Sequence, residues 1–264
     1  MKREVSSHIT ATITAPAELV LSVAVADGAP LVSEQLTVTL DGTALDAREI
    51  VDSHGTRLHI VDATTGALEV TYQAVVAGAA PERPVTEADR IRYLRPSRYA
   101  ESDSLTPTAV AEFQDLHGSD LLDAVSSWVG TQVAYVSGSS LPTDGAVRTL
   151  LSRQGVCRDF AHLVVALLRA SGVPARLVSV YAPGLEPMDF HAVAEALVDD
   201  AWHVVDATAL APRSSMLRIA TGRDASDTAF LTNLSGALTL ENLEVTATVD
   251  QFPDDDVTQL TRLR

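Results

Sequence analysis

The sequence predicts an α+β protein. An N-terminal antiparallel, sandwich-like β domain is followed by a core in which a cysteine-bearing helix packs on an antiparallel sheet bearing histidine and aspartate. Three observations carry that reading. Residues 1–80 hold short period-two runs separated by glycine-containing turns, residues 157–171 hold an apolar helical run that begins at a cysteine, and residues 190–207 hold two strand-like runs joined by paired aspartates.

In the first segment the predicted strands cover residues 8–14, 19–25, 36–40, 58–61 and 68–76, with turns at Asp27-Gly28, Asp41-Gly42, His54-Gly55 and Thr65-Gly66. His8, His54 and His59 lie here without a cysteine or a close acidic pair at metal-ligand spacing, so they read as surface or half-buried strand residues. Residues 81–105 form a connector, opened by Pro81 and Pro84 and carrying Arg90, Arg92, Arg95 and Arg98, which read as solvated or structurally paired.

The core spans residues 106–235 and opens near Thr106-Pro107. Ser119 is a candidate N-cap, and Leu121, Leu122, Val125, Trp128, Val129 and Val133 form an apolar stripe that predicts a helix over 120–134. A turn-rich loop follows at 135–140, then a short helix over 144–151 that delivers the chain to Gly155. Beyond the core, residues 236–264 comprise a long alternating strand at 238–249 and a polar tail expected to fray.

Composition narrows the function. The length supports one large or two modest domains with an apolar core. A net charge of -16 and a pI near 4.7 argue against nucleic acid as a partner, because binding the phosphate backbone needs clustered Lys and Arg. No apolar run is long enough to span a bilayer, and the first residues lack an apolar leader, so neither membrane insertion nor export is expected. A single cysteine forms no internal disulfide, and the chain reads as cytoplasmic. No pattern asks for a cofactor, and oligomeric state is not legible.

Cys157 is the candidate nucleophile. Phe160, Leu163, Val164, Leu167 and Leu168 recur at helical spacing behind it, and Ser171-Gly172-Val173-Pro174 supplies the stop, so the helix should run over 157–171. The sulfur then sits in the first turn, where free N–H groups and the helix dipole favour a thiolate. A lone cysteine is also commonly a small buried hydrophobe, so position alone leaves both readings open.

The downstream hairpin separates them. With a two-residue loop at Asp199-Asp200, Val193 lies opposite Asp206 and Thr208 opposite His191, so His191 and Asp206 share a face as diagonal neighbours roughly 7 Å apart at Cα. A three-residue loop would put them on opposite faces. His191 can take the thiol proton while Asp206 fixes its tautomer, the requirement of thiol acyl-transfer chemistry.

Rival readings of nearby residues are weaker. Cys157 and His162 are five apart, an angle of about 140° on a helix, so they do not form a metal pair. His162 reads as structural and Asp159 as a first-turn acid. Glu195 shares the His191 face and reads as a solvated strand carboxylate, with substrate contact as the alternative. His203 lies on the other face from Asp206. Residues 221–224 read as the cap of a short helix involving Asp224 and Asp227, with Arg223 at a cleft rim as the alternative.

Gly-Val-Cys-Arg-Asp-Phe-Ala-His at 155–162, Gly-Val-Pro-Ala-Arg at 172–176, Met-Asp-Phe-His-Ala at 188–192 and Trp-His-Val-Val-Asp-Ala-Thr at 202–208 together resemble the bacterial transglutaminase-like superfamily. Residues 222–227 resemble a further segment of it, and the first segment is similar to the β domain that accompanies many bacterial members. The resemblance implies a papain-like thiol fold and a Cys-His-Asp triad, matched by Cys157, His191 and Asp206. It implies a protein or peptide amide substrate, with protease or amidase-type hydrolysis through a thioester favoured over cross-linking. The backbone N–H of Cys157 supplies one oxyanion donor, and Tyr135 is the candidate for the second by analogy. A noncatalytic peptide-binding module on the same fold is the alternative. Ala192 stands where the family often has an aromatic residue after the histidine, so the shape of the acyl-donor groove does not carry over.

Overall fold

Two antiparallel sheets and one buried helix organise the computed structural model, which describes residues 1–263. The chain opens with β1 (Lys2–Leu21), β2 (Leu31–Leu40), β3 (Thr43–Ala44), β4 (Arg48–Val51), β5 (Arg57–Ala63) and β6 (Gly66–Ala77). A mixed stretch follows: α1 (Glu87–Arg92), α2 (Ser102–Phe113), α3 (Gly118–Gln132), β7 (Ala134–Tyr135), α4 (Ala146–Ser152), β8 (Gln154–Gly155) and α5 (Cys157–Ala170). It ends with β9 (Ala175–Tyr181), β10 (Phe190–Val198), β11 (Ala201–Val205), β12 (Leu217–Gly222), α6 (Ala225–Thr228) and β13 (Leu231–Val249).

The α+β class is as the sequence predicts; the arrangement of the first strands differs in detail. They form one seven-stranded sheet whose seventh strand, β13, comes from the far end of the chain. One edge of β1 pairs with β13 from Arg3 to Leu21, and its other edge pairs first with β6 and then with β5. Without β13 a twenty-residue strand would present an open edge. Arg3, Val5, Ser7, Ile9, Ala11 and Ile13 are buried while their neighbours face outward, the alternation expected of a sheet with one solvated face. Tyr181, Leu217, Ile219 and Ala220 of the second sheet cover the buried face, so one core joins the two sheets.

The second sheet has the order β11-β10-β9-β12 and is antiparallel throughout. Every residue of α5 from Asp159 to Arg169 is buried, as expected of a helix apolar on most of its faces. On one side α5 meets Ala194, Ala196, Val198 and Val205 of the sheet, and on the other Leu105 and Phe113 of α2 and Val125 and Val129 of α3. Small residues on β10 let the helix lie close to the strand.

Four local expectations give way. Helix α2 starts before Thr106 and carries Pro107 inside it, a residue that reads as a break in sequence. Helix α1 emerges within the expected connector because Thr86 and Asp89 cap it reciprocally. Helix α3 begins at Gly118 with His117 as N-cap, ahead of Ser119. The polar tail is fastened: the Arg213 guanidinium donates to Asp255, to the Asp256 carbonyl at 2.7 Å and to the Gln259 carbonyl at 3.2 Å. Farther along, the Val204 N–H donates to the Thr261 carbonyl at 2.8 Å. Among the described residues no helix is long and apolar enough to cross a membrane.

Candidate active site

Cys157 is the first residue of α5 and is partly exposed. Its position is set by two devices just upstream. The Asp159 carboxylate accepts the Val156 N–H at 2.8 Å and the Ser140 hydroxyl at 2.9 Å, tying the helix start to the loop after β7. Gly155 permits this closeness: a Cβ there would lie 2.6 Å from the Asp159 Cβ. The second device is the parallel pair β7–β8, which sets Tyr135 opposite Gly155 and lets the Val136 N–H donate to the Gly155 carbonyl at 2.9 Å. The loop expected at 135–140 thus starts as a short strand, and that strand brings Tyr135 to the sulfur.

His191 and Asp206 arrive on the hairpin. Asp199 and Asp200 both adopt left-handed backbone, at φ 49° and 60°, the conformation of a two-residue turn whose twist matches the strands. Val198 pairs with Ala201 and Ala194 with Val205, so the register continues to place Val193 opposite Asp206. The His191 Nε2 and Asp206 Oδ2 are 3.0 Å apart, with both side chains almost fully buried. Thr208 fixes the carboxylate: its N–H and hydroxyl donate to Asp206 Oδ1 at 2.9 and 2.7 Å.

With Nε2 committed to Asp206, Nδ1 is left for the sulfur. It has no hydrogen-bond partner of good geometry among the described residues, sulfur included, while the Cys157 thiol is near enough to raise the imidazole's pKa. Burial works against a charged imidazole, but the Asp206 hydrogen bond and the neighbouring Cys157 outweigh it, and the pKa of His191 is pushed up to about 10. For Asp206 the balance is the mirror image: burial favours the neutral acid, while His191 and Thr208 hold the carboxyl below its usual range.

Tyr135 completes the group. Its phenol packs near Phe160, with ring centroids 5.9 Å apart, and its hydroxyl is near enough to Cys157 to feel both the thiol and the backbone N–H. Burial first, then the Cys157 charge, push its pKa up to about 12, so it stays a hydrogen-bond donor at neutral pH. The geometry therefore assembles Cys157, His191, Asp206 and Tyr135 in one place. Sequence reasoning did not anticipate Thr208 as a clamp on Asp206, although the hairpin register already set it opposite His191. Nor did it single out Asp189, whose carboxyl is raised by burial and is felt by both His191 and Tyr135.

Other residues separate from the site. His162 is fully buried, stacks on Tyr99 and accepts the Ala225 N–H at Nε2 at 3.1 Å, tying α5 to α6; burial pushes its pKa down to about 3. Asp224 caps α6 and accepts the Tyr99 N–H at 2.9 Å, while Arg223 pairs with Asp227 at 2.8 Å. Glu195 is not solvated: it is buried between Arg176 and Arg218. The alternation of β10 gave its face correctly, but not that this face is covered. His203 and His59 are likewise buried. Among the described residues no three His, Cys, Asp or Glu side chains group as a metal site would require.

A model of the transglutaminase-like superfamily matches residues 107–207, the stretch from α2 through Asp206. The crystal structure of a "putative cysteine protease" from Cytophaga hutchinsonii is 32% identical, with the alignment covering 97% of this chain and 92% of that one at a TM-score of 0.84. The chain belongs to the transglutaminase-like superfamily. That whole-length likeness covers the β-rich sheet as well as the transglutaminase-like core. Two uncharacterised mycobacterial proteins match over shorter stretches. One from Mycobacterium tuberculosis (strain ATCC 25618 / H37Rv) is 44% identical over 62 residues, which is 24% of this chain and 20% of that protein. One from Mycobacterium leprae is 36% identical over 58 residues, 22% of this chain and 21% of that protein. The match thus spans about a fifth of the length of these curated relatives.

Proposed function

We propose that this chain is a papain-like cysteine enzyme that hydrolyses an amide in a protein or peptide through a thioester on Cys157. The observation that supports it most is the line from Cys157 at the start of α5, through the His191 ring, to the buried Asp206. His191 Nδ1 accepts the thiol proton and the thiolate adds to the carbonyl carbon, sending the C=O electron pair to oxygen. The Cys157 N–H and the Tyr135 hydroxyl hold that oxyanion. As the carbonyl reforms, the C–N bond breaks and the imidazolium delivers its proton to the leaving nitrogen. Water then adds to the thioester, giving its proton to His191; the carboxylic acid leaves and the thiol is restored. Asp206 remains ionised throughout and stabilises the imidazolium.

Hydrolysis is preferred over cross-linking because the 32% identical relative is described as a "putative cysteine protease". The test is mass spectrometry of a mixed peptide pool incubated with the protein and an excess primary amine. Expected are products gaining the elements of water and an acyl adduct on Cys157 after acid quench, both absent in Cys157→Ala. Amine-substituted products dominating would reverse the choice between hydrolysis and transfer. No Cys157-dependent product, together with slow Cys157 alkylation that is the same in wild type and His191→Ala, would support the noncatalytic peptide-binding module instead.

A further inference from the structure

A cavity of about 650 Å³ opens between the connector, the first sheet and the face of the second sheet that carries Glu195, Trp202 and Arg218. None of Tyr135, Cys157, His191 or Asp206 lines it. Its size is within the usual range for a small-molecule site. Its charge is unusual for this protein: among the described residues six arginines and five carboxylates line it, leaving it net positive by one in a chain of net charge -16.

The excess is concentrated on the floor. Arg176 and Arg218 share the single carboxylate of Glu195, with contacts of 2.7 Å from Arg176 Nη2 and 2.6 Å from Arg218 Nη2. Arg176 is buried and Arg218 partly so, and the two guanidiniums share one carboxylate, with the Asp89 carboxylate acting on Arg176 from farther off; a further anion here is favoured. No hydrogen bond among the described residues uses Nη1 of Arg176. That guanidinium is held in place by Trp202, whose ring centroid is 3.9 Å from its central carbon, and more loosely by Tyr93 at 5.9 Å. Arg92 stands on the wall, hydrogen-bonded to His54 at 3.0 Å. Aliphatic residues, among them Val25, Val76 and Leu217, line part of the cavity beside these charges.

We propose that this cavity is a binding site for a small organic carboxylate, such as an amino acid or a short peptide, held by Arg176 and Arg218 with its apolar part against the surrounding aliphatic wall. A planar guanidinium matches a carboxylate through two parallel N–H donors, and the apolar wall distinguishes an organic acid from an inorganic oxyanion. The site stands independently of the chemistry assigned to Cys157.

Ligand-observed NMR with benzoate, its neutral analogue benzamide, and inorganic phosphate tests the inference on the full chain. Benzoate should bind at least tenfold more tightly than either of the others. Arg218→Gln should weaken benzoate at least tenfold. Because that change disturbs a buried ion cluster, Ala88→Trp provides the second variant: Ala88 is an exposed lining residue of α1, and a bulky ring there fills the cavity without touching the cluster. It should also weaken benzoate at least tenfold, while Cys157→Ala leaves the affinity within twofold. No benzoate binding, equal binding of benzamide or phosphate, or affinity that survives Ala88→Trp and falls in Cys157→Ala would overturn the proposal.

Discussion

Replacing the Asp206 carboxylate by an amide should disable the site through hydrogen-bond direction as well as charge. Thr208 donates two hydrogen bonds to Asp206 Oδ1, so in Asp206→Asn the side-chain oxygen keeps that place and the NH₂ group turns to His191 Nε2. Nε2 must then accept, the ring proton moves to Nδ1, and the nitrogen facing the sulfur can no longer take a proton. The lost negative charge adds to this. In the wild type the environment raises His191 from an ordinary 6.5 to about 10. A rise of that size corresponds to roughly 5 kcal/mol in favour of the imidazolium, an amount comparable to about 10⁴ in rate. Removing the anion and fixing the wrong tautomer should therefore slow Cys157 alkylation by iodoacetamide at pH 7 by about 10²–10⁴, the upper end being the known effect of this exchange in a Ser-His-Asp triad. Circular dichroism and a melting curve establish that the variant is folded. A folded Asp206→Asn protein that alkylates within threefold of wild type would refute the reasoning.

Other outcomes follow from the same geometry. Gly155→Ala places a methyl 2.6 Å from the Asp159 Cβ, so Asp159 must move off the Val156 N–H; a loss of about 1–3 kcal/mol in denaturant unfolding and a slower Cys157 are expected. Inserting one glycine between Asp199 and Asp200 turns Asp206 away from His191, and alkylation should fall to the His191→Ala rate while far-ultraviolet circular dichroism is retained. Glu195 lies in the opposite regime to His191: burial would raise its pKa, but Arg176 and Arg218 push it down to about 2. A depressed acid stabilises the fold fully above its unfolded value near 4.5 and loses that contribution as pH falls towards 2, so the melting temperature should drop through that window. Glu195→Gln should melt lower at neutral pH and show a shallower acid slope. Arg213→Ala should release residues 250–263, read as new cleavage there under limited proteolysis.

What was legible in the sequence followed strong local rules. The boundaries of α5 came from a 3.6-residue repeat bracketed by two glycines. The hairpin register came from one parity argument, which led to His191 and Asp206 as partners. What escaped were features fixed by distant pairing. The β13 strand alternates plainly, but nothing local says that it lies along β1, more than two hundred residues away. Tyr135 is named by family analogy alone, because the two-residue strand that carries it beside Gly155 is too short to leave a periodic signal. Glu195 looks like any outward strand acid until Arg176 and Arg218, from two other strands, close over it. The tail looks solvated until Arg213 is seen to gather it.

The central claim is that the imidazole of residue 191 holds its proton between the Asp206 carboxylate and the Cys157 sulfur. Nitrogen NMR of the His191 ring across pH measures this directly, in wild type and in Cys157→Ala. The account predicts a ring protonated well above the ordinary 6.5 in the wild type, titrating towards about 10, and a lower midpoint once the sulfur is removed. A ring that titrates near 6.5 in both proteins would contradict it.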